Sequence, residues 1–315
     1  MLALGQASPR LVQMVPLPTA LVGAYGVAIT PNNKFLLVAG YTATAVLSVP
    51  ALEAGSSAAV IGVLGDSGAG QFEVAVSADG RYAFVSDETT GALSVFDLRT
   101  ALQDGFSAPG VAVGIVPLAP GAVGIAMGPG GRLLYVTTSD AYGPHGELWV
   151  IDAARAEDGN TSAAVVGHAA VGCQPVRVAV SPDGRTVWVT AAQSNALLAF
   201  SAATLQADPA KALMAVVRVG SEPVGLLLVD GGRVALVGDS NRGLVPATAN
   251  TQPQTVSVVS TAAALDHRPA LVGVVPAGLF PRDITVDHAT GRVLVANFNS
   301  GTIEEFPVPA EPGSA

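Results

Sequence analysis

The sequence is short of charged residues and of cysteine, and each shortage excludes a class of protein. Only 12% of the 315 residues are charged, 24 of them acidic and 15 basic, and no stretch is rich in Lys or Arg. Nucleic acid and anionic membrane surfaces are bound through clustered positive charge, so we expect neither as a partner. The single cysteine, Cys173, cannot form an intramolecular disulfide. We interpret it as a small buried side chain, with a reactive thiol as the alternative.

Long apolar runs are also missing, although half of the residues are hydrophobic and the mean hydropathy is +0.50. A membrane-spanning helix needs about 20 consecutive apolar residues, and no such run occurs. The apolar residues come instead in runs of about four to eight, which are typical of buried strands. Residues 1–8 are too short for a signal peptide and have no basic start, so sequence upstream of Met1 is expected to decide the compartment.

Six copies of one pattern occupy most of the chain. Each copy is an apolar run, a turn, a basic residue and a second apolar run. The basic residues are Lys34, Arg81, Arg132, Arg185, Arg233 and Arg292, 47 to 59 residues apart. This period suits a propeller blade of four strands. Asp79-Gly80 and Asp183-Gly184 are turn sequences that provide the positive φ a tight hairpin needs.

A third apolar run follows in every copy, and a fourth follows in copies one to five. The sixth copy ends after its third run, but Leu11-Val-Gln-Met-Val-Pro-Leu17 is similar to the fourth run of copy five, which begins at Leu271. We predict an all-β, six-bladed β-propeller of four-stranded antiparallel blades, with strands A to D in sequence order. The N-terminal strand is predicted to close the ring, which removes an exposed sheet edge. Residues 1–315 are predicted to form one domain, with 1–9 and 309–315 as tails.

The starts of the A strands differ in a way that core packing does not require. Because the strands of a blade alternate in direction, the D–A and B–C loops share one predicted face, and the A–B and C–D turns share the other. At one equivalent position the six copies have Gly26, Glu73, Gly124, Arg177, Gly225 and Asp283. Tyr25, Phe72 and Arg282 stand one residue before three of these. Such a set can bind a small polar or anionic ligand. The alternative is structural, with Arg177 paired to Glu73 and Arg282 to Asp283.

Two enlarged B–C loops, residues 139–146 and 239–254, belong to the same predicted face, and function concentrates in long loops. The first contains His145, which is either a surface histidine or a catalytic or ligand-binding one. The second contains Arg242. The four histidines have no metal-ligand spacing, so we predict no metal and no cofactor.

Short segments in several copies resemble the YVTN-type β-propeller repeat. They are Tyr135-Val-Thr-Thr, Trp188-Val-Thr-Ala and Val295-Ala-Asn, with Ser181-Pro-Asp-Gly-Arg before the second. The resemblance covers nearly the whole chain and implies the propeller fold and a periplasmic or secreted location. The larger superfamily includes lactonases of the phosphogluconolactonase type.

Ser240-Asn-Arg-Gly and Pro281-Arg-Asp-Ile are similar to segments of those lactonases. Carried over, the resemblance implies Arg242 and Arg282 as groups that stabilise a carboxylate or oxyanion, with Glu73 or His145 as acid/base. Two departures weigh against this activity. The lactonases have Pro-His-x-His at the start of an A strand, where this chain has Gln71-Phe-Glu-Val and Gln174-Pro-Val-Arg, and they usually have seven blades.

The leading hypothesis is therefore a non-enzymatic, monomeric propeller that binds a small ligand or a protein through the face with the D–A and B–C loops. The predicted ligand-binding residues are Tyr25, Phe72, Glu73, Arg177, Arg242, Arg282 and Asp283. One alternative is a lactone hydrolase acting at the mouth of the propeller channel. Another is a structural or surface-layer module.

Overall fold

The computed structural model describes residues 2–3, 10–11, 13–19, 21–65, 70–106, 112–139, 146–241 and 254–310. Strands dominate these residues and form six larger antiparallel sheets that follow one another along the chain. Within each sheet the strands are ordered as in the sequence, so every sheet is a meander. The chain is a six-bladed β-propeller, which confirms the fold predicted from the repeat.

The first three blades follow a short pairing of β1 (Leu2–Ala3) with β2 (Arg10–Leu11). Blade one has β3 (Gly26–Ile29), β4 (Phe35–Ala39), β5 (Thr44–Ser48) and β6 (Val60–Leu64). Blade two has β7 (Gln71–Val76), β8 (Tyr82–Asp87), β9 (Ala92–Asp97) and β10 (Ala112–Pro117). Blade three has β11 (Ala122–Met127), β12 (Leu133–Ser139), β13 (Gly146–Asp152) and β14 (Val165–Ala170).

The last three blades repeat the same order of strands. Blade four has β15 (Pro175–Val180), β16 (Thr186–Ala191), β17 (Ala196–Ser201) and β18 (Leu213–Arg218). Blade five has β19 (Pro223–Val229), β20 (Val234–Asp239), β21 (Gln254–Ser260) and β22 (Leu271–Ala277). Blade six has β23 (Pro281–Asp287), β24 (Arg292–Asn297) and β25 (Thr302–Pro307).

The chain forms two compact units. The first comprises Met1–Thr138 and Trp149–Val166, and the second comprises Ser139–Leu148 and Gly167–Ala315. Within the first unit the A strands β3, β7 and β11 contact one another in order, and β15, β19 and β23 do the same within the second. That the whole chain is a single domain stays a prediction.

The core lies between neighbouring blades. Every residue of the B strands β8, β16 and β20 is buried, because side chains on both faces of these strands are covered. Phe84 and Leu93 of blade two pack with Leu134 of blade three, and Trp188 of blade four packs with Val237 of blade five. Fully burying one such side chain stabilises a fold by about 1.5–3 kcal/mol, so stacked blades hold one another in place.

The C–D connections contain short helices where the sequence predicts only turns. These helices are α1 (Val49–Glu53), α2 (Leu98–Gln103), α3 (Ala153–Glu157), α4 (Thr161–Ala164), α5 (Ala202–Ala207) and α6 (Thr261–Leu265). In blades one to five the last residue of the C strand caps the helix that follows it, since its side chain accepts a hydrogen bond from a backbone N–H. The capping residues are Ser48, Asp97, Asp152, Ser201 and Ser260. A serine or aspartate at this position satisfies N–H groups that a short helix leaves unpaired.

The N-terminal segment does not pair with blade six where the structure describes it. In the described residues the sixth sheet has three strands, and residues 13–18 lie in no strand. Val15 and Leu17 instead pack on the apolar cluster of the first blade, and Gln13 Nε2 donates to Ser56 O at 2.8 Å. Pro16 and Pro18 have no N–H to donate to a sheet, so side-chain packing decides where this segment lies.

Candidate functional site

Each A strand begins after a residue with positive φ, three positions before the predicted site position. These residues are Gly23, Gly70, Gly121, Gln174, Glu222 and Phe280, with φ from 46 to 81°. The left-handed region costs a residue with a side chain roughly 1–2 kcal/mol, so copies four to six hold strained backbone at this turn. The sequence analysis missed this turn. Its signal is a glycine in three copies and a following proline in the other three.

The same turn residue fixes the B–C loop of its own blade. Its carbonyl oxygen accepts a hydrogen bond from the residue that follows the B strand. The pairs are Glu88 to Gly70 at 2.7 Å, Ala192 to Gln174 at 2.8 Å, Ser240 to Glu222 at 3.2 Å and Phe298 to Phe280 at 2.8 Å. Two loops of the predicted functional face are therefore tied together in each of these blades, which keeps the starts of the A strands rigid.

A buried hydroxyl near the end of the B strand positions two of the predicted site residues. Ser86 Oγ accepts from Glu73 N at 3.0 Å and donates to Val123 O of the next blade at 2.9 Å. Thr190 Oγ1 accepts from Arg177 N at 3.0 Å and donates to Val224 O at 3.1 Å. The hydroxyl thus ties the A strand of its own blade to the A strand of the next.

In the first unit the structure brings three predicted site residues together. The rings of Tyr25 and Phe72 are stacked, with centroids 5.0 Å apart and planes at 26°, and Tyr41 lies 6.4 Å from Tyr25. The Glu73 carboxylate lies against Gly26, where a Cβ atom would stand 2.5 Å from Oε2, and Oε1 is buried. We call Tyr25, Tyr41, Phe72 and Glu73 the aromatic–carboxylate cluster. Sequence analysis missed Tyr41, whose hydroxyl lies 2.8 Å from Thr89 Oγ1.

In the second unit the predicted charges have different surroundings. Arg177 is only 8% exposed, and a guanidinium withdrawn from water needs hydrogen bonds or an opposite charge. Arg282 lies over the ring of Phe298, with Cζ 5.2 Å from the ring centroid, and Phe298 was missed by sequence analysis. Asp283 is exposed and its Oδ1 accepts from Ile284 N at 3.0 Å.

Two predicted candidates, His145 and Arg242, lie outside the described residues. That Tyr25, Phe72, Glu73, Arg177, Arg242, Arg282 and Asp283 bind a ligand stays a prediction.

Buried polar side chains at the end of the B strands were also missed. Asp239 Oδ2 accepts from Thr255 Oγ1 at 2.7 Å and from Ser257 Oγ at 2.8 Å, and burial raises its pKa above the usual 3.8. Asp87 Oδ2 accepts from Ser94 Oγ at 2.5 Å, and the equivalent residue of blade six is Asn297. These side chains join the B and C strands at the base of the loop. Their signal is a polar residue directly after the second apolar run.

Among the described residues, no three His, Cys, Asp or Glu side chains are grouped so that they could hold a metal ion. None of the helices found there is long and apolar enough to cross a membrane.

Comparison with solved structures finds the same fold at low sequence identity. Hydrazine synthase from Kuenenia stuttgartiensis matches with a TM-score of 0.60 and 15% identity, over 96% of this chain and 100% of that chain. A candidate 6-phosphogluconolactonase from Bacteroides uniformis matches with a TM-score of 0.65 and 16% identity, over 96% and 84%. Another from Bacteroides fragilis matches with a TM-score of 0.66 and 14% identity, over 90% and 80%.

No protein-family model matches the sequence, and neither does any curated protein. Identities this low carry information on fold alone. The chain is therefore similar in its propeller fold to the two candidate 6-phosphogluconolactonases.

Proposed function

We propose that the protein binds a small polar ring compound of the sugar or sugar-lactone class at the aromatic–carboxylate cluster. Two observations carry the proposal: the stacked Tyr25–Phe72 pair, and the Glu73 carboxylate that lies against Gly26 one residue further along the same two strands. Aromatic faces carry negative charge density that attracts the C–H groups of a sugar ring, and a carboxylate accepts hydrogen bonds from its hydroxyls. Apolar surface with a few placed polar groups is the usual composition of a small-molecule site.

Hydrolysis of a sugar lactone is the second candidate function. It is favoured by the structural similarity to two candidate 6-phosphogluconolactonases. Glu73 would take a proton from a water molecule whose oxygen attacks the lactone carbonyl carbon. The ring C–O bond then breaks and the ring oxygen takes a proton, so lactone and water give an open-chain hydroxy acid. Of the other predicted ligand-binding residues, Arg282 is tested by its own substitutions, and binding through Arg177, Arg242 and Asp283 stays a prediction.

Binding is tested by calorimetry with glucose, gluconate and glucono-1,5-lactone, and turnover by following acid release at constant pH against the spontaneous rate. We expect Tyr25→Ala to weaken binding at least tenfold and Glu73→Gln to weaken it less. Glu53→Gln, an exposed carboxylate on α1 of the same unit, is the matched control.

If the protein also hydrolyses the lactone, Glu73→Gln should reduce the rate by about 10²-fold or more. If the sugar ligands bind with unchanged affinity to both Tyr25→Ala and Glu73→Gln, they do not bind at the proposed site. Binding without turnover supports the first function and excludes the second for this lactone.

A further inference from the structure

The outermost strand of blade four differs from the other outermost strands. β6, β10, β14 and β22 each have a glycine at their third position, and β10 and β22 also contain proline. β18 reads Leu-Met-Ala-Val-Val-Arg and has neither. From Ala215 to Arg218 it pairs with β17 residue by residue. Its other edge has no paired strand in the described part of the chain. Prolines and bulges are common protection for such an edge. β18 has an irregularity at Met214, but from Ala215 to Arg218 the edge has neither a bulge nor a proline.

The neighbouring helix explains why blade four tolerates a side chain at this position. In blades one to three the residues that connect the C and D strands of the next blade lie directly over the glycine. A Cβ atom on Gly62 would overlap the ring of Phe106, and one on Gly167 would overlap the carbonyl of Leu205. Over Ala215 the covering helix is α6, whose small Ala263 and Ala264 pack with it. The small side chains leave a groove beside β18 that bulkier residues would fill.

Two grooves flank β18, one on each face of the strand. The first has a volume of about 400 Å³ and lies between β18 and the α6 region, with Ala215, Val217 and Leu271 in its lining. The second has a volume of about 310 Å³ and is lined by Leu198, Val216 and other residues of blades three and four. Successive side chains of an extended strand point to opposite faces. A strand added to the β18 edge would therefore place alternate side chains in the two grooves.

The linings of the grooves are apolar with a basic part. Arg218 lines both grooves, and His267 and Arg268 line the first. Arg268 Nη2 donates to Asp266 Oδ2 at 2.9 Å, whereas Arg218 forms no ion pair within the described residues. The protein as a whole carries a net charge of −9, so this basic part stands out from its surroundings. It fits an occupant that has one acidic side chain or a terminal carboxylate near Arg218.

We propose that β18 is an acceptor edge for an extended peptide segment of a partner protein, with alternating apolar side chains and one carboxylate. Main-chain hydrogen bonds to the edge would provide affinity, and the two grooves with Arg218 would provide specificity. None of the residues of the aromatic–carboxylate cluster takes part, so this is a second binding site.

The test uses the full chain and a fluorescein-labelled heptapeptide in which valine alternates with threonine and the last threonine is replaced by aspartate. Binding is followed by fluorescence anisotropy. We expect saturable binding that Val216→Lys weakens at least tenfold. The matched control is Val274→Lys on β22, because Val216 and Val274 are 59% and 58% exposed. The control should bind the peptide as the unsubstituted protein does. Circular dichroism and thermal unfolding verify that each variant is folded.

Two further measurements separate edge pairing from simple apolar contact. A peptide with methylated backbone nitrogens at alternate positions should not bind, because it cannot pair with a strand edge. Arg218→Glu should weaken binding of the aspartate peptide about tenfold and strengthen binding of one with lysine in its place.

The proposal would be overturned if the methylated peptide bound as tightly as the unmethylated one. It would also be overturned if Val216→Lys left peptide affinity unchanged, or if Arg218→Glu did. Light scattering gives a further decisive outcome. A dimer that Val216→Lys dissociates would assign the edge to a second copy of this chain and would equally overturn it.

Discussion

Gly26 lies directly against the carboxylate of Glu73, so closely that a Cβ atom on Gly26 would stand 2.5 Å from Glu73 Oε2. The two residues occupy the same position in neighbouring copies of the repeat. A glycine in one copy therefore makes room for the acid in the next. This relationship places the carboxylate against β3, one residue along the two strands from the stacked rings of Tyr25 and Phe72.

Gly26→Ala should displace Glu73 and weaken binding of the sugar ligand about tenfold. Inserting a methyl group into a packed site also destabilises a protein by about 1–3 kcal/mol. Gly273→Ala is the control, because a Cβ atom there has no neighbour within 4 Å. Urea unfolding and calorimetry measure both effects. Unchanged affinity in a folded Gly26→Ala variant would show that the position of Glu73 does not matter.

Arg282 is tested as an anion-binding residue in its own right, separately from the aromatic–carboxylate cluster. If it holds a carboxylate, Arg282→Ala should weaken binding of gluconate five- to tenfold and leave binding of glucose unchanged, since only gluconate carries a charge. Arg282→Lys should restore little of the loss, because a lysine does not reproduce the flat stacking of the guanidinium on Phe298. Phe298→Leu, which removes the aromatic ring and leaves Arg282, is the companion variant. Equal losses for glucose and gluconate would contradict an anion-binding role.

Gly70→Ala should destabilise the protein by roughly 1–2 kcal/mol or more, because alanine is strained in the left-handed region. The backbone of Gly70 has φ of +72°, and a Cβ atom would also lie 2.7 Å from Thr89 N. Gln174→Gly, at the equivalent turn, should change the free energy of unfolding by less than about 1 kcal/mol, since relief of strain offsets the added freedom of the unfolded chain. Urea unfolding of both variants checks the contrast, and a loss of similar size in the two would refute it.

Asp239 should make stability depend on pH above the ordinary aspartate range. Burial raises its pKa in the folded protein, so the folded state favours the protonated acid. The stabilisation is complete below the unfolded value near 3.8 and is lost as pH rises through the folded pKa. The stability of Asp239→Asn should fall less over this range, and Asn297 shows that blade six already has an amide there. Unfolding curves that remain parallel with pH would contradict this assignment.

Asp97 should act in the opposite sense. Burial opposes its ionisation, but hydrogen bonds from Arg81 and Thr100 outweigh burial and lower its pKa. Its stabilisation is present above the unfolded value and is lost as pH falls through the folded pKa. Asp97→Ala also removes a helix cap, a loss of about 0.5–2 kcal/mol. Asp152→Ala removes a helix cap of the same kind and is the control. If the loss of stability at acid pH disappears only in Asp97→Ala, it comes from the pairing of Asp97 with Arg81.

Part of the candidate site could be predicted from the sequence. Alignment of the repeats placed Tyr25, Phe72 and Glu73 at neighbouring strand starts, and the structure brings their side chains together. Tyr41 and Phe298 could not be found in this way, because they follow B strands in loops that differ from copy to copy. The positive φ of Gln174, Glu222 and Phe280 could not be predicted either, since a turn with positive φ is usually recognised by a glycine and these residues have side chains.

The sequence by itself determined the number of blades and the hairpins, because short apolar runs repeated six times and turns such as Asp79-Gly80 are local signals with one favoured structure. Only the tertiary structure decided where the N-terminal segment and the C–D connections lie. Val15 and Leu17 pack on the apolar cluster of the first blade, although their sequence resembles a fourth strand. Segments such as Val49–Glu53 are too short to show helical periodicity. Packing between residues far apart in the sequence decides both features, and no local sequence pattern indicates the result.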